Sequence, residues 1–378
     1  MASDAIIPFR VSIPQEEIDD LRQRLTRARW PEKEPVGDWS QGVPLARLKA
    51  LVDHWRDHYD WRRCEAALNA NPNYKTEIDG LDIHFIHRRS SRADAIPILM
   101  THGWPGSVVE LLGVIEALAE PEDPGVPAFH VIAPSLPGYG FSGRPAETGW
   151  NHEHIARAWA ELMRRLGYES WVAQGGDWGA VVTITLATHA PRGLKGVHLN
   201  MAVIYPPADM ETPTPEEQKV IDDLKWHVKW DSAYQRVQGT RPQTLGYSLS
   251  DSPVGQAAWI YEKCYAWTDN DGEPEQALSM DQMLDNISLY WFTNTGGSSA
   301  RLYWELGDGF TPGQVDLPVG VSLFPREILR PSRRWVDRYW SHVAYWNAVD
   351  RGGHFAAWEE PDLFVAEMRA CFGLEAFR

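Results

Sequence analysis

From Ile96 the chain settles into a rhythm that few folds can accommodate: IPILM, VVELLGVIEAL, FHVIAP, HIARAWAELMRRL, SWVAQ, VVTITLAT and LKGVHLN follow one another with little between them. Short apolar runs rich in Val, Ile and Leu read as buried strands, and the longer amphipathic stretches read as helices. Strands buried on both faces and joined by helices predict an α/β protein with a mostly parallel central sheet flanked by helices. The rhythm stops near Tyr205-Pro206-Pro207 and resumes at VGVSLF (319–324) and VAYWNAV (343–349). The intervening stretch, rich in Trp and Tyr, reads as a mainly helical lid over 206–305, dividing a core into 91–205 and 306–378. Residues 1–90 read as an N-terminal helical extension. Pro14 sits at the first turn of an amphipathic helix, stopped before Trp30-Pro31; two more helices run through Leu48 to Trp55 and Trp61 to Leu68. A β-hairpin around Asp79-Gly80 closes this leading segment.

At 378 residues and 43% hydrophobic content, one large core with additions is expected, because single cores stop growing near ~250 to 300 residues. The formal net charge of −16 leaves no basic footprint for a nucleic acid, so none is expected as a partner. Cys64, Cys264 and Cys371 stand far apart in no ligand-like spacing and read as reduced packing residues of a cytoplasmic protein. The N-terminal MASDAIIPFRVSIP has no signal-like pattern, and no run approaches the ~20 apolar residues of a membrane span. No membrane partner is expected. The 19 tryptophans predict heavy aromatic packing in core and lid, and exposed lid aromatics would offer a homodimer contact.

The chemistry concentrates at WVAQGGDWGA, residues 171–180, where an apolar strand meets a helix through Gly-Gly-Asp-Trp-Gly. Small residues on either side of Asp177 are the pattern of a nucleophile elbow, a tight turn that lifts one side chain above the sheet. A carboxylate in that position can displace a leaving group at saturated carbon and form an ester for water to cleave; it is a poor nucleophile toward amides and esters. Upstream, THGWPGS follows the strand IPILM. The backbone N–H groups of Trp104 and of Trp178, the residue after the nucleophile, are therefore candidates for an oxyanion hole. In the chain order nucleophile, acid, histidine, His354 in RGGHFAAWEEP is the expected base and Glu327 in FPREI the expected acid that orients it. Asp337 and Asp350 remain rivals for the acid, the first in a presumptive helix and the second inside the approach to His354.

Taken together, GGDWG, HGWPGS, PSLPGYGFS, GGHFAAWE and the N-terminal PFRVSIPQEEIDDLRQRLTRARWP resemble the microsomal-type epoxide hydrolase family, along essentially the whole chain and including RPQTLGYSLSDSPVGQAAWI in the lid. The resemblance implies an α/β-hydrolase fold and a hydrolase that converts a small-molecule epoxide and water to a vicinal diol with no metal or organic cofactor. It implies that the nucleophile falls on Asp177, the base on His354 and the acid on Glu327, and that the two epoxide-activating lid tyrosines fall on Tyr234 and Tyr303. Spacing alone would not separate these tyrosines from Tyr205, Tyr247 and Tyr290. The missing N-terminal anchor of membrane-bound members suggests a soluble form, and the aromatic content suggests a bulky or aromatic epoxide. Two other readings share the pattern. A haloalkane or haloacid dehalogenase would use the same aspartate and histidine, with the indoles of Trp104 and Trp178 on a departing halide. A non-catalytic ligand receptor would keep the fold without turnover.

Overall fold

The computed structural model describes residues 4–210, 212–307 and 309–378. Its leading segment is built as β1 (Ile7–Phe9), α1 (Gln15–Thr26), α2 (Leu45–Asp57) and α3 (Trp61–Ala70), followed by the hairpin β2 (Asn73–Ile78) and β3 (Leu81–Arg88). Asp79 and Gly80 both take positive φ, 50° and 78°, the type I′ geometry whose twist matches paired strands. Two details differ from expectation. Pro14 caps α1 from outside the helix, and the three-residue β1, which pairs antiparallel with β2, went unforeseen because a run containing Pro8 carries no alternation. Proline is tolerated there because the strand lies at the sheet edge.

The core continues with β4 (Ile96–Thr101), α4 (Leu112–Ala119), β5 (Phe129–Pro134), α5 (His152–Arg165), β6 (Trp171–Gly175), α6 (Trp178–His189) and β7 (Leu194–Leu199). Then come α7 (Pro215–Trp226), a π-turn at His227–Asp231, α8 (Ala233–Thr240), α9 (Pro242–Asp251), α10 (Pro253–Trp267), α11 (Met280–Thr293) and α12 (Gly296–Glu305). The chain returns to the sheet with β8 (Val319–Leu323), α13 (Arg333–Val336), β9 (Val343–Ala348), α14 (Ala356–Glu359) and α15 (Pro361–Phe372). Among the described residues the sheet has the order β1-β2-β3-β5-β4-β6-β7-β8-β9, parallel from β5 through β9. Every residue of β6 is buried, as a central parallel strand requires. The first ten residues of α6 are buried too, so that helix is apolar all round and lies inside the protein.

Strand order fixes where a site can form. From β4 the chain moves outward to β5, then crosses back over β4 to β6 and continues the other way to β9. The direction reverses between β4 and β6, and the crevice beyond the carboxyl ends of these two strands is where open α/β sheets bind ligands. The helices inserted after β7 cover that edge. They are fastened to the core by Tyr290, whose hydroxyl donates to the Gly106 carbonyl at 2.8 Å, and by Asn286, whose amide donates to the Pro105 carbonyl at 2.7 Å. The N-terminal helices brace them from outside: the Trp55 indole donates to Ser288 at 2.9 Å, and the Tyr59 hydroxyl to Asp285 at 2.8 Å. Among the described residues no helix is long and apolar enough to cross a membrane.

Candidate active site

At the end of β6 the backbone turns through Asp177, which holds φ 51° and ψ −125°. A side chain with a Cβ pays strain energy in that region, and such residues persist mainly where the fold over-determines them for function. The flanking glycines answer to space and not to φ. A Cβ on Gly175 would lie 2.1 Å from the Gly179 carbonyl oxygen, and one on Gly179 would lie 1.8 Å from that of Thr101. Gly179→Ala is therefore expected to destabilise the fold by about 3 kcal/mol or more, since no flexible side chain is there to yield. A thermal melt unchanged from that of the parent protein would overturn this account of the elbow.

Two groups converge on the Asp177 carboxylate, and a third stands behind one of them. The Trp104 N–H donates to Oδ1 at 2.8 Å, from a loop pressed so closely that a Cβ on Gly103 would sit 2.3 Å from Asp177 Oδ1. His354 Nε2 lies 3.4 Å from Oδ2, and His354 Nδ1 lies 2.7 Å from Glu327 Oε1. Burial works against a charged imidazole, but the Glu327 carboxylate, with Asp177 on the opposite ring nitrogen, outweighs it and raises the His354 pKa well above the usual value. Trp178 opens α6, so its amide is among the helix donors that have no intrahelical acceptor. The rival acids lie elsewhere: Asp337 follows α13 and pairs with Arg333 at 2.7 Å, and Asp350 pairs with Arg351 with its side chain 83% exposed.

The lid closes over Asp177 with aromatic rings. Tyr234 on α8 stacks on Trp104 at 4.9 Å and 7°, and Tyr303 on α12 meets the Trp178 ring edge-on at 4.9 Å. The two tyrosine rings lie 5.7 Å apart. Burial raises both phenol pKa values well above the usual one, helped at Tyr234 by the Asp177 charge and at Tyr303 by Tyr234 and then Asp177, so each remains a neutral O–H donor. Of the other candidate tyrosines, Tyr205 and Tyr247 are exposed, and Tyr290 donates its O–H to the Gly106 carbonyl.

Several residues that motif reading passed over complete the site. Trp267, the last residue of α10, accepts the His354 backbone N–H on its carbonyl at 2.9 Å and packs its ring 5.0 Å from the imidazole. Glu359 accepts from the Gly353 and Phe355 amides at 3.1 and 2.9 Å, gripping the chain on both sides of His354, and from the lid residue Asp269 at 2.7 Å. Glu359 is the last residue of GGHFAAWE, and only the turn of α14 brings it back to the backbone around His354. Glu110 lines a cavity of about 30 Å³ together with Asp177, His354 and Asn200, and burial pushes its carboxyl up to about 8. Among the described residues no cluster of His, Cys, Asp or Glu is suited to hold a metal ion.

Comparison with known proteins agrees along the chain. Residues 6–111 match the family described as Epoxide hydrolase N terminus, and residues 96–367 match the alpha/beta hydrolase fold. A protein of Stigmatella aurantiaca (strain DW4/3-1) named "Putative epoxide hydrolase" is 58% identical over 97% of this chain and 84% of its own. Epoxide hydrolase 1 of Oryctolagus cuniculus is 37% identical over 99% of this chain and 90% of its own. Among solved structures, an enantioselective mutant of epoxide hydrolase from Aspergillus niger superposes with a TM-score of 0.90 at 33% identity, covering 98% of this chain and 97% of that one. On a match of this identity over nearly its whole length, the chain belongs to the epoxide hydrolase family within the alpha/beta hydrolase fold.

Proposed function

We propose that the protein converts a small-molecule epoxide and water to a vicinal diol through an ester on Asp177. The observation that carries this reading is the divided environment of the Asp177 carboxylate, with Oδ1 on the Trp104 amide and Oδ2 toward His354. Oδ2 attacks an epoxide carbon. The C–O bond of the ring opens as Tyr234 and Tyr303 hold and protonate its oxygen, which would otherwise leave as a strongly basic alkoxide. Oδ1 becomes the ester carbonyl oxygen, already seated at the Trp104 amide, and the Trp178 amide joins it as charge develops in the second step.

Loss of the Asp177 charge on alkylation removes one of the two interactions that favour the imidazolium. His354 then releases its proton more readily and takes one from water, with Glu327 holding the ring in place. The cavity beside Asp177 and His354 has about 30 Å³, and ~10 to 15 Å³ on the same scale suffices for one water. Rings of Trp104, Trp178, Trp267 and Phe355 around the nucleophile support a bulky or aromatic epoxide as substrate.

A single turnover with enzyme in excess over styrene oxide, run in oxygen-18 water, tests the ester. The label is expected in the Asp177 carboxylate, with the first-formed diol unlabelled, because the diol takes its new oxygen from Oδ2. Label in the diol and none in the Asp177 peptide would mean direct attack by water and would remove Asp177 from the role of nucleophile.

A further inference from the structure

One buried cation stands beside this machinery, and the steps above do not use it. Lys263 on α10 is 2% exposed, and its Nζ lies 4.7 Å from the centre of the Tyr234 ring and 5.2 Å from that of Trp267. The stacked indole of Trp104 fills the ring face it covers, which leaves the ammonium to the other. Its donors are all engaged: Nζ meets Asp231 Oδ1 at 2.6 Å, the Asp231 carbonyl at 3.2 Å and Glu262 at 2.8 Å. Such an ammonium is fixed in place and is not a mobile proton carrier. Asp231 is held in turn on its other oxygen by the Trp267 indole at 2.7 Å and by His227 at 2.9 Å. Burial opposes its charge, but His227, Lys263 and Trp267 keep its carboxyl below the usual range.

The charges facing Tyr234 are unequal during the reaction. Burial first, and then Asp177 and Asp231, oppose negative charge on the phenol, while the Tyr303 hydroxyl favours it and Tyr205 opposes it. Alkylation neutralises Asp177 at the moment the phenol proton moves. Asp231 keeps its charge, and Lys263, paired with Asp231 and Glu262, is the cation over the ring. We propose that Lys263 is a positioning residue for epoxide opening, whose ammonium over the Tyr234 ring favours the charge that the phenol acquires as its proton passes to the epoxide oxygen. In that step the Asp177 Oδ2–carbon bond forms, the ring C–O bond breaks and the proton leaves a phenolate behind. The proton set free when ester hydrolysis regenerates the Asp177 carboxylate restores the phenol. This inference rests on the role given to Tyr234 above.

The test separates the two steps by stopped-flow and rapid quench, with styrene oxide and with trifluoromethyl oxirane, whose alkoxide is less basic and needs the phenol proton less. Lys263→Met is expected to slow alkylation by styrene oxide about 30-fold through loss of one nearby charge, to leave hydrolysis of the ester within about 3-fold, and to show a smaller deficit with trifluoromethyl oxirane. Lys263→Arg should recover most of the rate. Lys263→Gln, which keeps N–H donors for Asp231, carries the same expectation as the Met variant should that one not fold. Wild-type alkylation in the neutral variants, or equal slowing of both steps with both substrates, would overturn the proposal and leave Lys263 as a lid support. Tyr234→Phe measured alongside keeps the two readings apart: unimpaired alkylation there would remove the premise, whereas a slow Tyr234→Phe beside a fast Lys263→Met defeats this inference alone.

Discussion

Asp177→Asn is expected to lower steady-state diol formation by about 10⁴-fold or more, the scale on which loss of a nucleophile from an acting unit is felt, while leaving the fold intact. An amide has almost the same shape as the carboxylate, so the close approach of Gly103 to this side chain is undisturbed. Asn also tolerates the positive φ of the elbow better than most residues. The Trp104 N–H can still donate to the amide oxygen. What is lost is the anion, and with it both the attacking group and the partner of His354 Nε2. The measurement is diol formation by chromatography, with mass analysis of the 177 peptide to exclude reversion to Asp by deamidation. Full turnover by protein whose amide is intact would sink the ester mechanism, because no second carboxylate is seated on the Trp104 amide.

How far such expectations could be read from the chain alone differs between core and lid. The parallel part of the sheet was legible because its strands are short apolar runs, and β6 with its elbow glycines marks its own place in the order. Glu327 could be favoured over Asp337 and Asp350 by its place just beyond a strand and, more strongly, by the family resemblance; the fold separates them by burial, with the Glu327 side chain fully enclosed and bonded to His354. The tyrosines were a different matter. Tyr234 and Tyr303 lie on separate lid helices that meet only when α8 and α12 pack over Trp104, and no local periodicity encodes that meeting. Resemblance selected them, and nothing in their spacing did. Lys263, Trp267 and Glu359 act through backbone amides, ring faces and a buried ion pair, contacts between segments distant in sequence that no pattern within one segment can announce.

His354→Gln is expected to convert the enzyme into one that reacts once. Alkylation needs the Asp177 carboxylate and a proton donor on the epoxide oxygen, and both survive the substitution; hydrolysis needs a base for water, which does not. The ester should therefore accumulate to nearly one equivalent, visible as the mass of the substrate added to the Asp177 peptide, with kcat reduced about 10³-fold or more. The wild-type enzyme should approach the same state as pH falls. In the free enzyme the His354 pKa is raised well above its usual value, burial opposing and Glu327 and Asp177 favouring the charge. In the ester the Asp177 contribution is gone, so His354 loses its proton at lower pH than in the free enzyme and serves as base above that point. Below it the imidazolium re-forms, hydrolysis slows and the ester builds up. The fraction of ester in the steady state should thus rise with falling pH in the wild type and stay flat in His354→Gln over the same range. A His354→Gln enzyme that turns over repeatedly without accumulating ester would show that water finds its base elsewhere, and the buried carboxyl of Glu110 beside the same cavity would be the next residue to change.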